Sequence, residues 1–130
     1  MTYVTEPPRL TSVLKFEVEP SYCREEVPVL AGSGSDRELK LGTVLGRITA
    51  SGKVVELALT GSDGSQTVYG VLLANVTAPV GTDGAAVALV RGPAIVSDAG
   101  LIFPAGATAP QKATINTALT ALGIVVRQGV

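Results

Sequence analysis

The stretch LKLGTVLGRITASGKVVELA, residues 39–58, decides the fold. Two short apolar segments, TVLGRIT (43–49) and KVVELAL (53–59), flank Ser51-Gly52, and that arrangement predicts two antiparallel strands joined by a turn. The Gly-Lys pair in it invites comparison with a phosphate-binding loop. Such a loop needs four residues between its first glycine and the Gly-Lys, then a hydroxyl residue to hold magnesium. Here five residues separate Gly46 from Gly52, and Lys53 is followed by Val54. The stretch is scaffold.

Outward from this hairpin, turn signals recur every eight to twelve residues. TGSDGSQ (60–66) and PVGTDGA (79–85) carry Asp63-Gly64 and Asp83-Gly84, pairs suited to turns that need positive φ. TVYGVLLANV (67–76) between them reads as one long strand. AVALVRGPAIVS (86–97) reads as two strands broken at Gly92-Pro93. One helix is expected near the C-terminus: Pro110 suits its start, Ile115, Leu119 and Leu122 share a face with Ala118, and Gly123 suits its cap. GIVVR (123–127) then returns as a last strand. The expected fold is mainly β, a small barrel-like single domain with one short C-terminal helix. Val44, Leu45, Ile48, Val71, Leu73, Ile95 and Ile124 are its expected core residues.

The N-terminal thirty residues read differently. Pro7-Pro8 disfavours a packed start, and TSVLKFEVE (11–19) alternates with period two, setting Leu14, Phe16 and Val18 on one side of an extended chain. Pro20 and Pro28 interrupt the chain beyond it. These signals divide the molecule into an extended arm over residues 1–30 and a β-rich domain over 31–130. The alternative is an ordinary edge strand packed on its own domain.

Composition narrows the function more than any motif. With no histidine and a single cysteine, the commonest general base, the commonest metal ligand and every Ser-His or Cys-His nucleophile are missing. From residue 41 onward the only acids are Glu56, expected on a solvent-facing strand position, and Asp63, Asp83 and Asp98, expected in turns. No catalytic, metal-binding or cofactor-binding residue is therefore assigned, and the chain is read as a non-enzyme. A net charge of −1 supplies no basic footprint for nucleic acid. No apolar run is long enough to span a bilayer, and residues 1–8 carry no secretory leader pattern, so cytosolic synthesis is expected. The body, residues 41–130, holds only nine charged side chains, a neutrality that suits surfaces covered by partners.

The order of the segments carries a resemblance. SYCREEVPVLAG (21–32), LKLGTVLGRIT (39–49) with GKVVEL (52–57), GSDGSQTVYGVLLANVTA (61–78), DGAAVALVRGPAIV (83–96) and IFPAGATAPQKATINTALTALGIVVR (102–127) together resemble the lambda-type head decoration proteins of tailed phages. The resemblance implies a β-clip fold and a homotrimer on the outer surface of the virion. It places that trimer at the three-fold positions of the expanded head, cementing the shell against the pressure of packaged DNA. It further implies that the N-terminal arm, flexible in the free protein, becomes ordered on the capsid by pairing with strands of the major capsid protein, and the apolar face Leu14, Phe16 and Val18 suits such strand addition as the expected capsid-binding residues. Competing readings are another all-β virion part, such as a tail or baseplate protein, and a non-catalytic ligand-binding module. The second is disfavoured because Tyr69 and Phe103 are the only aromatic residues after Tyr22.

Overall fold

The computed structural model of the chain describes residues 10–128. A single helical turn, α1 (Leu10–Val13), leads into β1 (Leu14–Glu17), a second turn α2 (Pro20–Cys23), then β2 (Arg24–Val29), β3 (Arg37–Leu39), β4 (Val44–Arg47) and β5 (Val54–Glu56). There follow β6 (Val68–Leu72), β7 (Val76–Ala78), β8 (Gly84–Leu89), β9 (Ala94–Ser97), a 3-10 turn over Asp98–Gly100, the helix α3 (Ala109–Ala121) and β10 (Ile124–Arg127).

The hairpin of residues 39–58 forms as the sequence predicts. β4 and β5 pair antiparallel with Leu45 opposite Glu56 and Arg47 opposite Val54. The connection closes through Ile48 N–H to Lys53 O (2.9 Å) and Gly52 N–H to Ile48 O (2.8 Å), with Gly52 at φ 73°, a value that favours glycine. Around this hairpin five strands close a barrel in the order β2-β5-β4-β6-β8. The longest ladder is β2 against β8, six residues from Arg24–Leu89 to Val29–Gly84.

The barrel wall is buried on both faces. Leu45, Leu72, Ala86 and Ala88 point into the barrel with Val27, Val29 and Val54, while Val44, Val71 and Leu89 point outward into a second core with Ile115, Leu119 and Ile124. Two-sided burial explains why these strands read as continuous apolar runs and not as alternating ones. The second core is roofed by a three-stranded sheet, β1-β9-β10, and by α3. A capping box between Thr108 and Gln111 starts the helix, with Pro110 in its first turn, and Ile115 and Leu119 are its buried residues.

Several expectations change. TVYGVLLANV is two strands, β6 and β7, because Asn75 turns the chain: its side-chain oxygen accepts the Leu41 N–H at 2.8 Å. Ile48 and Ile95 are only partly buried, whereas Val44, Leu45, Val71, Leu73 and Ile124 are in the core. The 1–30 arm is divided differently by the pairing. Residues 1–9 lie outside the described residues; Leu14–Glu17 pair antiparallel with β9; Arg24–Val29 are a full barrel strand. The prolines that suggested a detached segment are accommodated, Pro20 opening α2 and Pro28 exposed on β2 opposite Ala85.

Leu72→Ala should lower unfolding stability by about 2–5 kcal/mol, since Leu72 is fully buried in the barrel. Val87→Ala, on the outward side of β8, should change it by about 0.5 kcal/mol. Urea unfolding of both variants measures the difference.

Candidate interaction surface

The sheet β1-β9-β10 has two unlike faces. On the inner face Ala94, Val96 and Ile124 are buried in the second core, with Leu14 and Val126 packed beside them. On the outer face register places Phe16 opposite Ile95, and Ile95 beside Val125, in one row across all three strands. Phe16 is 50% exposed and Val125 42%. Val18 continues this side: its N–H donates to Pro93 O at 3.0 Å and its side chain is 53% exposed. Scattered exposed apolar residues are ordinary, whereas Phe16, Ile95 and Val125 are aligned in one row across a sheet, which makes the face a candidate interaction surface.

The sequence grouped Leu14, Phe16 and Val18 on one face, and the structure separates them. The register shifts between Leu14 and Phe16, a bulge that turns Leu14 onto the core and leaves Phe16 and Val18 outside. Glu17 has a side chain only 10% exposed and is gripped by Arg24, whose Nε donates to Oε2 at 3.0 Å while Nη2 engages Oε1. That bidentate pair raises the Arg24 pKa and ties the end of β1 to the start of β2. Ile95 and Val125 were not expected at this surface. Their register with Phe16 depends on a parallel β9–β10 pairing that GIVVR alone does not reveal.

Beside the sheet runs a polar chain. The Arg91 guanidinium lies 5.1 Å from the Tyr22 ring centre and donates from Nη2 to Glu25 Oε1 at 2.9 Å. The Tyr69 hydroxyl donates to Glu25 Oε2 at 3.4 Å, and the Arg47 guanidinium lies 5.3 Å from the Tyr69 ring centre. The Arg91 hydrogen bond holds the Glu25 carboxyl below the usual carboxylate range, and burial followed by the Glu25 charge pushes the Tyr69 phenol up.

Among the described residues no group of three or more His, Cys, Asp and Glu is placed to hold a metal ion, and no helix is long and apolar enough to cross a membrane. Cys23 is buried and unpaired by any disulfide. The turn aspartates are occupied locally: Asp63 accepts the Ser65 N–H, and Asp83 accepts the Ala31 N–H at 3.0 Å and pairs with Lys53 at 2.8 Å. Glu56 is exposed, as expected, and pairs with Arg37 at 2.6 Å. What the geometry offers is a surface for another macromolecule. A model of the bacteriophage lambda head decoration protein D family matches residues 3–124. The chain belongs to that family. None of the curated proteins compared with it matches. Membership in a head decoration family gives the chain a structural role on the phage capsid.

Phe16→Ser with Val18→Ser should leave the protein folded, costing within about 1 kcal/mol, because both side chains already face water. Thermal unfolding checks this. Glu25 has a depressed folded-state pKa, so its contribution is present at neutral pH and is lost as the pH falls through that value. Glu25→Gln should therefore lower the unfolding midpoint at neutral pH and leave it unchanged in strong acid.

Proposed function

We propose that this chain is a cement protein that binds as a homotrimer to three-fold positions on the outside of the expanded head and stabilises the shell against the pressure of packaged DNA. The family match over residues 3–124 is the observation that carries this reading. In it the chain is made in the host cytoplasm and reaches the outer surface of the virion by assembly alone. Its partner there is the major capsid protein.

No chemical step is required. A protein that binds the expanded lattice and not the unexpanded one stabilises the expanded state by its binding free energy. Phe16 and Val18 supply apolar contact with the shell. Leu14 does not reach it; anchored in the core, it holds β1 flat on β9 so that the other two face outward. One such contact is small. Three on one trimer, matched to a three-fold axis, raise avidity by roughly 10²–10⁴ when all engage together.

Co-sedimentation with undecorated expanded heads tests the proposal. The wild-type protein should pellet with heads, and the Phe16→Ser, Val18→Ser variant should remain in the supernatant while keeping its fold. Equal binding by both would remove the contact from this face. Failure of the folded wild-type protein to bind would overturn the decoration reading.

A further inference from the structure

Arg47 sits in a shallow hollow of about 370 Å³ lined by Thr49, Gly64, Thr67, Val68 and Tyr69. Its guanidinium is held from two sides. The Tyr69 ring lies beneath it at 5.3 Å, and the 51–52 turn lies against it, with Nε donating to Gly52 O at 3.3 Å. A Cβ on Gly52 would stand 3.2 Å from Nη2, so the guanidinium lies close against the turn backbone. Arg24, Arg37 and Arg91 each have a carboxylate partner, Glu17, Glu56 and Glu25. Arg47 has no ion pair among the described residues; Glu25 feels its charge, but that carboxylate is bonded to Arg91 and the Tyr69 hydroxyl. An arginine fixed against a ring, with its fork exposed between two threonines, is pre-organised for a planar oxyanion.

We propose that Arg47 is the receiving half of a contact between copies, and that it takes a carboxylate side chain from the neighbouring protomer. The inference rests on the homotrimer proposed above and names the residues that join it. Charge complementarity within the chain identifies the occupant. Glu26 on β2 and Glu38 on β3 are exposed, and their side chains make no hydrogen bond or ion pair among the described residues. The chain thus presents an unpaired cation in a built hollow at one place and unpaired carboxylates at others. Two different complementary patches on one molecule make a head-to-tail interface, which closes into a ring when the rotation permits. An isologous dimer would instead bring each patch against itself. Tyr and Arg are the residue types enriched at the centres of protein interfaces, and the hollow pairs one of each, Tyr69 and Arg47.

Sedimentation equilibrium of the wild-type protein, Arg47→Ala, and the charge exchanges R47E/E26K and R47E/E38K decides the matter, with circular dichroism confirming the fold of each. The wild-type protein should be a trimer, Arg47→Ala should raise the midpoint concentration of assembly about thirtyfold, and one of the two exchanges should restore it. Arg47→Lys, which keeps the charge and loses the fork, should fall between wild type and Arg47→Ala and serves in its place if the alanine variant does not fold. A monomeric wild type would overturn the trimer itself. A trimeric wild type with an Arg47→Ala trimer of equal stability would overturn this contact alone. Unchanged assembly with lost binding to heads would assign the carboxylate to the shell and refute the second copy as its source.

Discussion

Backbone meets backbone at Gly92 and Gly123, and the architecture of the proposed capsid face depends on that crossing. A Cβ on Gly92 would stand 1.8 Å from Gly123 O, which no rearrangement of side chains relieves. The two segments are joined there by Gly92 N–H to Leu122 O at 3.0 Å and Ala94 N–H to Gly123 O at 3.1 Å. Gly123, at φ 87°, ends α3 and turns the chain directly into β10. The parallel register that results sets Ile124 beside Ala94 and Val125 beside Ile95. One close approach thus places the inner residues on the core and the outer residues in line with Phe16.

The second constraint acts from the other side of β9. β1 is short and bulged, and its pairing would be marginal if hydrogen bonds alone held it. Val13, fully buried against the second core, and the Glu17–Arg24 pair fasten it at its two ends. The pair is bidentate and links the end of β1 to the start of β2, so truncating either partner removes that link. Phe16 and Val18 thereby sit on a segment hydrogen-bonded to its own domain in the free chain. Residues fixed in advance lose little conformational entropy on binding, whereas ordering a free segment costs roughly 1–2 kcal/mol per residue of backbone.

The barrel was legible because its signals are local. Ser51-Gly52, Asp63-Gly64 and Asp83-Gly84 mark reversals by backbone chemistry, and the helix is announced by Pro110 at one end and Gly123 at the other. The N-terminal segment was not legible in the same way. Whether β1 pairs with β9 is a contact across some eighty residues of sequence, and no local pattern encodes it. Period-two alternation placed Leu14, Phe16 and Val18 together, and a single-residue register shift undid the grouping. Prolines at 20 and 28 suggested separation, yet each occupies a position whose backbone tolerates it. The interaction surface was missed in part for the same reason: Ile95 reads as core in a buried strand, and only its two neighbours show that it faces out.

Residues 14–18 are paired within the folded domain of the free chain, so in the proposed function an outward face meets the shell and not a segment that folds on arrival. Amide hydrogen exchange of the Val18 N–H, which donates to Pro93 O in the free chain, tests it most directly. Slow exchange is expected in the free protein, comparable to that of neighbouring strand amides, with little change on expanded heads. Exchange at the rate of an unstructured peptide in the free protein, with protection appearing only on heads, would contradict it.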